Sequence, residues 1–232
     1  MSKILMVVSG ADSMRLADGT THPTGYWAEE VAASHEVLRA AGAEVVIATP
    51  GGVRPTVDAL SLDEQGGVPA ADADRHRAYL DSIAAQLDAP ASLADVRTGD
   101  YDAVYIPGGH APMADLAEDG DLGRLLNDAD ARGTVVAALC HGPAALLSTT
   151  THGDFTFAGR SLTSFTDEEE NQGGLGEKTP YYLESRLRES GAVIDSGPAW
   201  GVKVVQDGNL ITGQNPQSSR ETAGTVLKAL KG

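Results

Sequence analysis

The sequence holds a single cysteine, Cys140, in 232 residues. No intrachain disulfide can form, and the lone thiol suits a reducing, cytoplasmic setting. No apolar run approaches the roughly 18 residues that a membrane span needs. The N-terminal Ile4-Leu5-Met6-Val7-Val8 is too short for a signal-peptide core and reads as a first strand. Basic residues are scarce: 17 Lys and Arg stand against 33 Asp and Glu, a formal net charge of −16 at pH 7. That balance speaks against nucleic acid, which needs clustered Lys and Arg, and against anionic membrane surfaces. Metal signatures are missing too. There is no His-Glu-x-x-His and no Cys pair, and His22, His35, His76, His110 and His152 lack ligand spacing. No metal and no cofactor are expected. With no repeat, low-complexity tract or linker, residues 1–232 read as a single domain with a small irregular insertion around 150–180.

What is present is an alternation of short apolar runs and helical segments. Ile4–Val8, Val45–Ala48, Ala103–Ile106 and Thr134–Leu139 read as strands. Helices are expected over 28–41, 73–87 and 122–132, with Gly42 and Gly133 as stops. Ser9–Thr24 reads as a polar loop and Pro50–Gln65 as irregular. Thr179-Pro180 has the form of an N-cap followed by Pro, opening a helix over 181–190. Residues 202–205 and 210–212 form a hairpin through Asp207-Gly208, and Ser218 caps a last helix reaching about Leu230. The fold class is therefore α/β: a mostly parallel sheet sandwiched by helices.

The organising stretch is Thr134 to Leu147, TVVAALCHGPAALL. A β-branched run enters it and a small-residue helix leaves it. Between them Ala138-Leu139-Cys140-His141-Gly142 has the small-x-nucleophile-x-small form of a nucleophile elbow. A tight strand-to-helix turn strains the backbone, so its flanks must be small. The following N–H groups, at a positive helix N-terminus, should lower the thiol's pKa and expose a reactive, oxidation-prone thiolate.

In such a sheet, ligands gather outside the carboxyl ends of the strands. Cys140, Gly108-Gly109 and the loop through Gly25–Glu30 each follow a strand, so they should meet at one edge. Gly108 and Gly109 could aim backbone N–H groups at an oxyanion, together with that of His141. Glu29 is accounted for as a first-turn acid favoured by the helix dipole. If Glu30 touches Cys140 it should carry a proton, because an ionised carboxylate would raise the thiol. His141 needs an orienting acid, and Asp167-Glu168-Glu169-Glu170 offers candidates that spacing alone does not separate. His35 and His76 are taken as structural.

These residues resemble the ThiJ/PfpI superfamily, with its flavodoxin-like, class I glutamine amidotransferase-like fold, and within it the glyoxalase III branch of heat-shock chaperone type. The matching stretches are 24–30, 48–52, 106–110, 138–144, 162–167 and 210–216, nearly the whole chain. The resemblance implies Cys140 as nucleophile, His141 beside it, Glu30 as the tuning glutamate and Glu170 as the acid orienting the histidine. Gly108, Gly109 and His110 fall at the oxyanion and substrate side. Some members carry a His and Glu metal site on inserted segments, and no matching ligands occur here. A glutaminase of this fold needs His-Pro-Glu where this chain has Asn215-Pro216-Gln217, so amidotransferase activity is rejected. The implied activity is a cofactor-free, cysteine-dependent lyase acting on a small dicarbonyl, methylglyoxal to lactate, with Glu30 ranked ahead of His141 as proton carrier. The alternatives are a stress-response holding chaperone with unfolded-protein clients, a protein deglycase, or another cysteine hydrolase or lyase such as an isonitrile hydratase. A homodimer is compatible with the family.

Overall fold

The computed structural model describes residues 1–231. In chain order the elements are β1 (Lys3–Val7), β2 (Ser13–Arg15), β3 (Thr21–Pro23), α1 (Ala28–Ala40), β4 (Glu44–Thr49), α2 (Ala70–Ser82), α3 (Ala84–Asp88), β5 (Ala91–Ser92) and β6 (Ala103–Ile106). They continue with α4 (Gly120–Arg132), β7 (Val135–Leu139), β8 (Ser161–Leu162), α5 (Asp167–Gly173), α6 (Leu183–Glu189), β9 (Val193–Ile194), β10 (Val204–Asp207), β11 (Leu210–Gly213) and α7 (Ser219–Ala229).

The central sheet has seven strands in the order β10-β11-β7-β6-β1-β4-β5. All neighbours are parallel except β10 on β11, which is a hairpin and forms one edge. Parallel strands covered on both faces carry continuous apolar runs, as Ile4–Val8 and Val135–Leu139 do. Alternate side chains feed two cores. Leu5, Val7, Val104, Ile106 and Val136 pack with Leu122, Leu125 and Leu126 of α4. Ile4, Met6, Tyr105, Ala137 and Leu139 pack with Val31 and Leu38 of α1 and Val226 of α7.

Several local expectations are corrected. The polar loop after β1 contains the antiparallel pair β2 and β3. The helix expected over 73–87 starts three residues earlier, behind Pro69, and breaks at Ile83 (φ −111°, ψ 13°). The hairpin turn is Gly208-Asn209, one residue later than expected, because Asp207 pairs with Leu210 and Gly208 takes φ +56°. Thr179 opens no helix and instead ends the 3-10 turn Gly176–Lys178: α6 begins at Leu183, and Asp167 of α5 accepts hydrogen bonds from the Ser185 N–H and hydroxyl. Glu184 of α6 in turn accepts from the Asp167 N–H, so the two short helices cap each other. The Ser218 hydroxyl donates to Asn215 Oδ1 instead of closing the helix end.

The segment expected as irregular carries β8 and α5, and it buries Phe155, Phe157 and Leu162 in the main core. The acidic run Asp167–Glu170 is the first turn of α5, closed by a capping box between Thr166 and Glu169. The elbow helix is a 3-10 helix, Gly142–His152. Ser148, Thr149, Thr150 and Thr151 each donate a hydroxyl to the carbonyl three residues back, a spacing that favours the tighter winding.

Candidate active site

Cys140 follows β7 directly and has φ +58°. Among the described residues only Trp200 shares a positive φ without being glycine. Such a backbone costs roughly 1–2 kcal/mol and persists because the surroundings hold it. Here the Cys140 N–H donates to the Gly213 carbonyl at 3.0 Å, and the Cys140 carbonyl accepts from the Phe165 N–H at 2.8 Å. Gly142 must be small: a Cβ there would lie 2.3 Å from the Ile106 carbonyl oxygen of β6.

His141 is buried behind the sulfur. The Cys140 thiol donates to His141 Nδ1 at 3.4 Å, and His141 Nε2 donates to Glu170 Oε2 at 2.8 Å. Glu170 projects from α5, and its other oxygen accepts from His110 Nε2 at 3.1 Å and from the Leu175 N–H at 2.6 Å. Burial alone would raise the Glu170 carboxyl. The hydrogen bonds from His110 and His141 outweigh it and hold the group well below the ordinary carboxylate range. An ionised carboxylate only accepts, so His141 carries its proton on Nε2 and turns the Nδ1 lone pair to the sulfur. Burial and the neighbouring His110 hold His141 neutral, lowering it to about 4 against the pull of Glu170. Of the four acids in the run, geometry thus brings Glu170 to His141. Glu169 has a different place. Its buried carboxylate accepts from Thr166, Trp200 N–H, Gln214 and Asn215, which ties the Trp200 loop to α5.

Glu30 enters from α1 and is fully buried. Its Oε2 accepts from the Gly108 N–H at 2.7 Å, while Oε1 has no hydrogen-bond partner. Burial raises this carboxyl to about 8, opposed by the Gly108 N–H and by the Cys140 thiol beside it. The carboxyl therefore holds a proton at neutral pH. The expectation of a lowered thiol pKa in an exposed cysteine is corrected. Cys140 is 3% exposed, and burial pushes its thiol well up, an ionised Glu30 pushing it further. The resting pair is a thiol beside a carboxylic acid, and the two titrate together.

The glycines divide their duties. A Cβ on Gly108 would sit 2.7 Å from the His141 nitrogen and 2.8 Å from the Leu139 oxygen, so only glycine lets this loop lie on the elbow. Its N–H is taken by Glu30 and its carbonyl by the Trp27 N–H, so Gly108 is not an oxyanion donor. Gly109, at φ +89°, keeps its N–H facing the sulfur, where it favours the thiolate. His110, expected at the substrate side, lines the cavity and also stacks on His141, ring centroids 4.1 Å apart.

Sequence spacing shows no metal ligands, yet one ligand atom each from His110, His141 and Glu170 lie within 4.8 Å of one another. The chain folds them together from three separate segments. Protons already satisfy this donor set, since both imidazoles donate to the carboxylate.

Cys140 opens on a cavity of about 270 Å³. Trp27, Phe165 and Trp200 supply aromatic wall, and Trp200 packs edge-on to Phe165 at 5.6 Å. Glu29 and His76, read from the sequence as a dipole-favoured acid and a structural histidine, also line it, as does Asp72. Their spacing carries no signal. They meet because α2 packs beside α1.

A model of the DJ-1/PfpI family matches residues 23–229. The chain belongs to the DJ-1/PfpI family. Among family relatives, it is 26% identical to Glyoxalase 3 of Candida albicans, over 100% of this chain and 99% of that one. It is 29% identical to the glutathione-independent glyoxalase HSP31 of Saccharomyces cerevisiae, over 99% and 98%. It is 28% identical to the protein/nucleic acid deglycase HchA of Escherichia coli, over 92% of this chain and 76% of HchA. The solved glyoxalase III of Candida albicans superposes with a TM-score of 0.82 at 26% identity, covering 98% and 97% of the two chains. The Rapid Encystment Protein of Francisella tularensis superposes at 0.86 with 29% identity, covering 99% of each. The fold is thus shared with these solved structures over nearly the whole chain. No helix among the described residues is long and apolar enough to cross a membrane.

Proposed function

We propose that this DJ-1/PfpI protein is a glutathione-independent glyoxalase that converts methylglyoxal and water to lactate through a covalent adduct on Cys140. The observation that carries the reading is one sulfur between two proton carriers, Glu30 on one side and the His141–Glu170 pair on the other. Full-length similarity to the glyoxalases of two fungi supports it.

Protons and bonds balance without a cofactor. Cys140 sulfur attacks the aldehyde carbon while its proton passes to His141 Nδ1, and Glu170 steadies the imidazolium. The new alkoxide, facing the Gly109 N–H, takes the proton of Glu30 and becomes a hemithioacetal. The Glu30 carboxylate then removes the hydrogen of that carbon, while His141 protonates the neighbouring ketone oxygen, which gives an enediol. Glu30 returns its proton to the second carbon as His141 takes one from the first hydroxyl, leaving a lactoyl thioester. Glu30 deprotonates a water that attacks the thioester. The leaving sulfur recovers its proton from His141, and both carriers are reset. A carboxyl near 8 is suited to this alternation, because it gives and accepts a proton close to neutral pH.

The test is lactate production from methylglyoxal by the purified chain in buffer free of glutathione and other thiols. Steady lactate formation is expected. Absence of lactate under these conditions overturns the reading, and release of amine from glycated peptides instead would favour a deglycase.

A further inference from the structure

A three-carbon dicarbonyl leaves most of a 270 Å³ cavity empty. The part of the wall that the reaction does not use has a consistent character. Glu29 from α1 and Asp72 from α2 both line it. Asp72 Oδ1 accepts from Arg75 at 2.9 Å, and the other nearby cation, Arg220, is paired with Glu36 at 2.5 Å. Glu29 has no hydrogen bond or ion pair among the described residues. Burial, then the proximity of Asp72, raises its carboxyl, with the charges of Arg75 and Arg220 opposing the rise. His76 lines the same wall at 4% exposure, and its Nδ1 is buried with no hydrogen-bond partner. Two carboxylates facing one partly enclosed space, beside the indole of Trp27 and an unpartnered imidazole, form a receptor for positive charge.

We propose that Glu29, Asp72, His76 and Trp27 form a cation-binding subsite. It favours substrates whose reactive carbonyl, at Cys140, is joined to an ammonium or guanidinium group. This rests on the proposed reaction for its substrate class, 2-oxoaldehydes carrying a positive group. The subsite itself is a property of the cavity. A cation seated there pairs with Glu29, the acid that no Arg neutralises by direct contact, and where it bears an N–H it gives His76 a donor to accept from. Free methylglyoxal uses none of these contacts.

The experiment compares two alkylating agents of equal shape. One is iodoacetamide N-substituted with a trimethylammonioethyl arm, the other its uncharged 3,3-dimethylbutyl isostere. Each transfers its carboxamidomethyl group to Cys140 sulfur with loss of iodide, and intact mass gives the rate on the wild-type chain. The cationic agent is expected to react at least about tenfold faster. Severalfold preference should survive salt high enough to screen the net charge of −16. The ratio should fall severalfold in Glu29→Gln and approach one in Glu29→Gln with Asp72→Asn. It should hold in the charge-matched surface pair Asp154→Asn with Glu189→Gln, both exposed positions. A wild-type ratio near one, or an equal fall in the surface pair, overturns the subsite. The same comparison is then made in kcat/KM with para-trimethylammonio and para-tert-butyl phenylglyoxal. Preference in alkylation without turnover of either glyoxal would leave the subsite standing and sink the reaction. Turnover of both with no charge preference would do the reverse.

Discussion

Cys140→Ala is expected to lower kcat/KM for methylglyoxal by at least about a thousandfold, because Cys140 is the sole thiol lining the cavity. The chain should still fold. The side chain removed is small, and the strained φ of +58° is held by the Gly213 carbonyl and Phe165 N–H, which the substitution leaves in place. Steady-state lactate assays on variant and wild type, with a melting curve for each, check both halves of this expectation. Cys140→Ser should be nearly as inactive. A hydroxyl is a far weaker nucleophile, and His141, lowered to about 4, is a weak base for it.

Glu30→Gln is expected to cost about a hundredfold in kcat while keeping the acceptor for the Gly108 N–H. It should also change the pH dependence of stability, with a definite sign. In the unfolded chain Glu30 ionises near 4.5, and in the fold it keeps its proton to about 8. Between those values the native state binds the extra proton, so wild-type stability falls as pH rises. His141 works oppositely. It ionises near 6.5 when unfolded and near 4 when folded, so its contribution rises with pH from about 4 and levels off as the pH passes 6.5. From pH 6.5 to 8 the groups other than Glu30 contribute alike to wild type and Glu30→Gln, so the difference between the two isolates the Glu30 effect. Denaturant titrations should show the stability of wild type relative to Glu30→Gln falling by about 2 kcal/mol across that window. Equal slopes would place the proton elsewhere.

The parts of this site legible in the sequence were those with a local signature. The elbow is written in five consecutive residues, Ala138 to Gly142, and the parallel strands are continuous apolar runs. Their order makes Glu30, Gly108 and Cys140 converge. What was not legible depends on burial and on meetings between distant segments. The thiol's upward shift comes from enclosure by Glu30 and the sheet, which the elbow pattern does not encode. Spacing alone does not separate Glu170 from Glu169: the family resemblance pointed to Glu170, and the physical reason is the helical turn of α5, which sends Glu170 to His141 and Glu169 to Trp200, Gln214 and Asn215. The turn Asn215-Pro216-Gln217, notable in sequence for what it lacks, serves to anchor that second acid. Glu29 and His76 looked like ordinary helix residues because their common cavity exists only once α1 and α2 pack.

Because Cys140 is the sole cysteine, the mass of the intact chain counts its modification without ambiguity. Lactate formation should therefore be followed while the protein is alkylated stepwise with plain iodoacetamide. Activity is expected to fall in proportion to the fraction of chains carrying one carboxamidomethyl group, reaching zero at one per chain, with methylglyoxal slowing the modification. Lactate still produced at an undiminished rate by fully alkylated protein would contradict the account.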